Sequence, residues 1–315
     1  MSVLRVTNST ITNRFLTNVQ ANFRDLAATQ EQISTGQRVN RPSDDPLASA
    51  QARLRNVDLD SIAQSKKSAD AAKSWLDSTD TGLSSINDLL QRANELTIQG
   101  ANSTYSAAQR SGIADEIDQL IASSKQIMNG KSGDAYIFSG TKTDTPPYNA
   151  GSDTYQGDAN SVSRDLGGLS TIEVNARFDA VGSAGTPVPI TAGTLLGQGT
   201  GAADGRVLDT LEQISSHLRS GAISALGSTD LQNLKANLTA VGNARAAVGA
   251  ASNRVDSAVG RMDEIASTTT QMVNDLTGTD LTKAITTLSA QQNAYTAALK
   301  SGATIVQTSL MDFIR

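Results

Sequence analysis

The chain has 315 residues, 38% of them hydrophobic and only 3% aromatic, with a net charge of −5. That length allows two domains of ordinary size, and a core of Leu, Ile, Val and Ala suits thin helical bundles. The lack of any basic run excludes nucleic acid as the main partner, because phosphate binding needs clustered Lys and Arg; the lack of cysteine excludes disulfides, thiolate nucleophiles and cysteine-type zinc sites.

No stretch approaches the roughly 20 apolar residues of a membrane span, so no membrane insertion is expected. Met1 to Asn13 lacks the basic-then-apolar layout of a secretory signal. The expectation is a cytoplasmic protein, or one exported without a cleaved signal. The single histidine, His217, lies beside the stripe Leu208, Leu211, Ile214, Leu218 and reads as a solvated flank residue.

In chain order, a helix is predicted over about 8–35. Leu16, Val19, Phe23, Leu26 and Ile33 form one stripe, with Ile11 and Phe15 slightly off it. Gly36 is a natural left-handed stop. The segment Gln37 to Pro46 is a turn: Arg41 precedes Pro42 and is extended, Ser43, Asp44 and Asp45 offer caps to the next helix, and Pro46 suits its first turn. That helix runs over about 47–99, with Leu76, Leu83 and Leu90 spaced by seven and Ile86 and Ala93 beside them. A third helix covers about 107–128, with Ile113, Ile117, Leu120 and Ile127 on one face, and Asn129-Gly130 ends it.

From Ala135 the period changes. Tyr136-Ile137-Phe138 is strand-like, and 161–164, 171–175 and 188–191 are further strand candidates in a glycine-rich stretch. Helix resumes over 206–220, and Gly221 and Gly227 bracket a loop. From Leu231 to Leu276 a heptad line recurs: Leu234, Val241, Val248, Val255, Met262, Thr269, Leu276. A second line is assigned to Leu231, Leu238, Arg245, Ser252, Val259, Ala266 and Val273. Such sustained heptads signal a coiled coil, roughly 70 Å long at about 1.5 Å per residue. After Gly278 a terminal helix carries Leu281, Ile285, Leu288, Tyr295, Leu299, Val306, Leu310 and Phe313. Arg245 and Gln292 are candidate register-setting polar members of these heptads, or else solvated edge residues.

The fold class is therefore mainly α with a β-rich insert (α+β): an elongated helical bundle made by both chain ends, plus a small outer β domain. The expected division is a helical part over 1–134, a β-rich domain over 135–205, and a helical part over 206–315 that pairs with the first. The end stripes lack an internal partner long enough to cover them both. They are therefore expected to be mobile before assembly, from Ile11 to Ile33 and from Leu281 to Phe313, and to order against neighbours.

Catalysis finds little support. Adjacent Asp44 and Asp45 point to different sides of a helix start, where capping accounts for both. Asp115, Glu116 and Asp118 form an ordinary acidic face. No glycine-rich loop has the context of a nucleotide site. No enzyme activity, metal or cofactor is expected.

Ile33-Ser34-Thr35-Gly36-Gln37-Arg38-Val39-Asn40, followed by Pro42-Ser43-Asp44-Asp45-Pro46, resembles the N-terminal signature of bacterial flagellins and flagellar hook-associated proteins. Tyr136 to Thr143 resembles the segment that opens the middle domain in the hook–filament junction members of that family. Asp280 to Ile285, Leu288-Ser289 and Gln291-Gln292 resemble the family's terminal helix, and the ending Ser309 to Ile314 is similar to that of the junction members more than to that of flagellin. The resemblance implies paired terminal helices in an inner tubular layer, a β domain facing outward, and export through the flagellar type III channel. It also implies a secreted structural adaptor at the hook–filament junction, a homo-oligomeric ring between the first hook-associated protein and flagellin. An export chaperone is expected on the C-terminal helix. Two alternatives stand beside it: a flagellin filament subunit, which shares the ends, and a cytoplasmic coiled-coil signalling protein, which the β-like insert disfavours.

Overall fold

The computed structural model describes residues 8–149, 153–167, 171–175, 190–198 and 204–313. Its main helices are α1 (Asn8–Thr35), α2 (Pro46–Gly100), α3 (Ala107–Met128), α5 (Val207–Ser220), α7 (Leu231–Thr277) and α8 (Leu281–Phe313). Two short ones, α4 (Ala192–Leu195) and α6 (Ile223–Ala225), lie between them. The chain divides into two compact units, Ser61–Glu264 and Met1–Asp60 with Ile265–Arg315. No described helix is long and apolar enough to cross a membrane.

The Ser61–Glu264 unit holds a continuous apolar core. The heptad positions of α2 that the sequence singles out, Leu76, Leu83, Ile86, Leu90 and Ala93, are all buried. So is the first heptad line of α7, through Leu234, Val241, Val248 and Val255. The second buried line is not the one expected. Ala244, Ala251 and Ala258 are buried, whereas Arg245, Ser252 and Val259, one residue on, are only half-buried. Alanine wins the seam because its small side chain lets a neighbouring helix approach closely, while the bulkier residues flank it. Arg245 sits at the edge and donates to Asp80 of α2 at 3.0 Å. Two further ion pairs, Lys66–Asp263 at 2.6 Å and Lys73–Asp256, fix α2 and α7 as antiparallel neighbours here.

α3 starts at a capping box in which Ser106 Oγ accepts from the Gln109 N–H and Gln109 Oε1 accepts from the Ser106 N–H. It packs on α5. Its acidic face is crossed by arginines: Arg219 reaches Asp115 at 2.8 Å and Asp118 at 2.6 Å, and Arg92 reaches Glu116 at 2.7 Å.

The Tyr136-Ile137-Phe138 run is shorter as a strand than expected. β1 (Lys131–Ser132) pairs antiparallel with β2 (Ala135–Tyr136), and Ile137 and Phe138 leave the ladder to enter the core. The Phe138 ring lies so close over Gly82 of α2 that a Cβ there would stand 3.0 Å from it. Gly140 and Thr141 then wrap the Asp158 carboxylate, which accepts from the Thr141 N–H at 2.8 Å. Tyr148 is held by Asn129 through paired bonds of 2.7 and 2.9 Å, and its hydroxyl donates to the Gly197 carbonyl at 2.6 Å. β3 (Ser163–Asp165) pairs antiparallel with β4 (Thr171–Glu173), close to two of the expected strands. The third, 188–191, falls partly outside the described residues; its end, Thr191, caps α4 rather than extending a strand.

The loop expected between Gly221 and Gly227 is helical. α6 leads through a π-helical turn, Leu226–Asp230, directly into α7. His217 is no solvated flank residue: its Nδ1 lies 2.7 Å from Oδ2 of the buried Asp230. A bond across 13 residues, formed on a π turn, leaves no local sequence signature.

In the second unit, α1 packs along α8. The ends of the chain do have an internal partner: each other.

Candidate functional site

The seam between α1 and α8 takes about one residue from each helical turn. On α1 its members, all buried or half-buried, are Phe15, Val19, Asn22, Leu26, Thr29 and Ile33, with Ala21 and Gln32 half-buried beside them. On α8 they are Ala284, Leu288, Gln291, Tyr295, Ala298 and Gly302. Both sets alternate by three and four residues, the knobs-into-holes spacing of a coiled coil. Phe23 meets Tyr295 with ring centroids 6.0 Å apart, and Gly302 faces Phe15, so the two helices run antiparallel.

The stripe expected on each helix is therefore two stripes. Phe15, Val19, Leu26, Ile33, Leu288 and Tyr295 face the seam. Leu16, Phe23, Leu281, Ile285 and Leu299 are exposed. Gln291, not Gln292, is the polar seam member; Gln292 is exposed. The side chains of Ile11, Val306, Leu310 and Phe313 lie outside the described residues, as does Ile314.

Exposure of this kind is concentrated. Among the described residues, every exposed large hydrophobic except Ile98 belongs to the unit of the chain ends. Besides the stripes above these are Leu47, Leu54 and Val57 on α2 and Ile265 and Met272 on α7. The buried apolar residues of that unit are small: Val39, Ala48, Ala52 and Ala284. Its described part has an apolar surface and almost no core, the reverse of a self-sufficient domain. Sequence periodicity marked the ends as apolar; it could not separate the face turned to the partner helix from the face turned outward. The exposed residues of α2 and α7 carry no sequence signal of their own, because their heptads look continuous with the buried ones farther along the same helices.

The turn after α1 forms as its residue types require. Gly36 takes φ 71°, the left-handed region that favours glycine. Asp45 caps α2, its Oδ1 accepting from the Ala48 N–H at 3.0 Å, with Pro46 as the first helical residue. That hydrogen bond, with the Arg38 guanidinium second, holds the Asp45 carboxyl below its usual range. Asp44 caps nothing in the helix. It closes the turn on itself, accepting from the N–H groups of Asn40 at 3.1 Å and Arg41 at 2.8 Å. Pro42 and Ser43 are exposed at the turn's tip.

Among the described residues no cluster of His, Cys, Asp or Glu could hold a metal ion. Residues 6–143 match the model of the bacterial flagellin N-terminal helical region. Flagellar hook-associated protein 3 of Escherichia coli strain K12 is 26% identical over 299 residues, spanning 91% of this chain and 92% of that protein. The chain is therefore similar to proteins of the bacterial flagellum, through its N-terminal helical region and along most of its length. The flagellar filament 41 kDa core protein of Borreliella burgdorferi is 34% identical over 99 residues, but the match spans only 31% of this chain and 30% of that protein. The fold is shared with a candidate flagellar hook-associated protein from Vibrio parahaemolyticus, at a TM-score of 0.64 and 22% identity over 75% of this chain and all of that one.

Proposed function

We propose that this protein is a structural adaptor of the bacterial flagellum, a ring of identical subunits at the hook–filament junction. The likeness to a flagellar hook-associated protein along nearly the whole of both chains carries this reading. On it, one side of the ring meets the first hook-associated protein and the other receives flagellin. The chain leaves the cell by the flagellar export route, with a chaperone shielding α8 until then. It is not an enzyme; its work is done by surfaces.

The surfaces of that assembly are the outward faces of α1 and α8, with Leu16, Phe23, Leu281, Ile285 and Leu299. The turn from Gly36 to Pro46 aims those helices. Apolar burial drives the contact, at roughly 25 cal/mol per Å², set against the entropy of ordering the ends. Residues 135–205 form the outward-facing part, between the helical parts 1–134 and 206–315.

A filament subunit is the second reading, favoured only by the shared ends. The stretch from Tyr136 to Thr143 counts against it, and the match to a hook-associated protein spans more of the chain, 91%, than the 72% spanned by a filament core protein.

Deleting the gene in its host, then imaging the cells and assaying flagellin in the medium, separates the two. Hooks without filaments and free flagellin are expected. Complete loss of flagellin marks a filament subunit, and normal filaments exclude both.

A further inference from the structure

Two helix junctions meet at one point within the unit of the chain ends. The turn from α1 to α2 lies against the turn from α7 to α8, joined as a short antiparallel bridge between Gln37 and Gly278. The Thr277 carbonyl accepts from the N–H groups of Arg38 at 2.7 Å and Val39 at 3.3 Å, and the Gly36 carbonyl accepts from the Thr279 N–H at 3.1 Å. The Arg38 side chain then crosses the bridge. Its Nη2 donates to the Leu276 carbonyl at 2.9 Å, and its Nη1 to Asp45 Oδ2 at 3.1 Å.

Each contact has a physical reason. Leu276 lies in the last turn of α7, whose carbonyls lack helical partners and carry the negative end of the helix dipole. Asp45 caps the start of α2, so its carboxylate lies at the positive end of that dipole. One guanidinium thus touches the end of α7 and the beginning of α2, while its own backbone is bonded to the α7–α8 turn. A planar fork with separated donors spans such a pair of acceptors; an ammonium is a point charge and does not. Val39, next in the chain, is buried.

We propose that Arg38 is a positioning residue, a clasp that makes the α1–α2 and α7–α8 junctions one coupled hinge. It fixes the direction in which the α1–α8 pair leaves the adjoining ends of α2 and α7. Neither junction bends alone, because the bridge and the guanidinium tie each to the other. The consequence for assembly rests on the reading above, in which the α1–α8 pair is the contact surface; the hinge itself does not.

The chain has no cysteine, so spin labels can be placed freely on the full-length protein. Labels at Ala27→Cys on α1 and Ala50→Cys on α2, both exposed positions, report the junction by pulsed electron resonance. A control pair, Ala28→Cys and Asn293→Cys, reports the α1–α8 seam. With Arg38 present, the junction distance has one narrow distribution. Arg38→Ala widens it about twofold or more, as a released hinge does, and Arg38→Lys widens it nearly as much, while the control pair stays narrow. An unchanged junction width in Arg38→Ala overturns the proposal. So does equal widening of the control pair, which makes Arg38 a general stabiliser instead. Neither result depends on the cellular role, so failure of the junction reading is distinguishable from failure of the hinge.

Discussion

Gly302 of α8 lies against the ring of Phe15 of α1, so close that a Cβ at position 302 would stand 1.9 Å from Cζ. The contact lies more than two helical turns beyond the Phe23–Tyr295 ring pair, near the far end of the described α1–α8 seam. Gly302→Leu must expel the Phe15 ring. The expected cost is about 1–3 kcal/mol, the usual penalty of overpacking, offset in part by the better helix propensity of Leu. Circular dichroism melts of the full chain check it: the transition of the chain ends moves down while that of the larger unit stays in place.

Ile285 and Leu299 are exposed on α8, so Ile285→Asp and Leu299→Asp leave the stability of the monomer within about 0.5 kcal/mol, as surface changes usually do. Assembly is expected to fail in both. Leu288→Asp differs, because Leu288 faces α1; it damages both folding and assembly. Denaturant titration of the monomer, read beside complementation of a deletion strain, separates the two effects. Normal filaments in the Leu299→Asp strain would show that this face makes no contact.

The seam of α7 gives a sharper test of packing. Ala251→Leu inserts a large side chain at a buried position and is expected to cost about 1–3 kcal/mol. Ser252→Leu, one residue on, is expected to cost no more than about 0.5 kcal/mol. Urea unfolding of the two variants reads the difference, and equal losses contradict the register.

Much of this architecture is written locally. Gly36, Pro46, Asn129 and Gly278 punctuate the helices where a left-handed turn, a first-turn proline or a stop is needed, and the helix bounds follow them within a residue or two. Leu76, Leu83 and Leu90 declare their face because bulk and burial coincide. The α7 seam is harder, since its second line is alanine, and bulk points to Arg245 and Val259 instead. The Asp44–Asp45 turn is legible from its residue types; the bond from Arg38 to Leu276 is not, because its partners lie 238 residues apart. The four-residue helix α4 offers only Thr191 and Thr194 as a signal, too little to distinguish it from a strand end.

Glu212 on α5 carries a pH dependence. Burial first, then the charge of Asp153, raises its carboxyl from 4.5 to about 7, against the pull of Lys125. The folded chain holds this proton more tightly than the unfolded chain. Its contribution to stability is therefore complete below about pH 4.5 and is lost as pH rises to about 7. Allowing for solvent access at a half-buried site, the loss is about 1–2 kcal/mol. Glu212→Gln mimics the protonated form, so the gap in stability between pH 5 and pH 8 is expected to shrink by that amount. Urea titrations at the two pH values decide it; a gap equal to that of the parent chain rules Glu212 out as its source.

The central claim is a place in the flagellum, and immunogold labelling of isolated hook-and-filament structures tests it most directly. An antibody raised against residues 135–205, the segment proposed to face outward, is expected to mark a single narrow band where hook meets filament. Gold distributed along the filament, or absent from the junction while the protein is present in the preparation, contradicts the account.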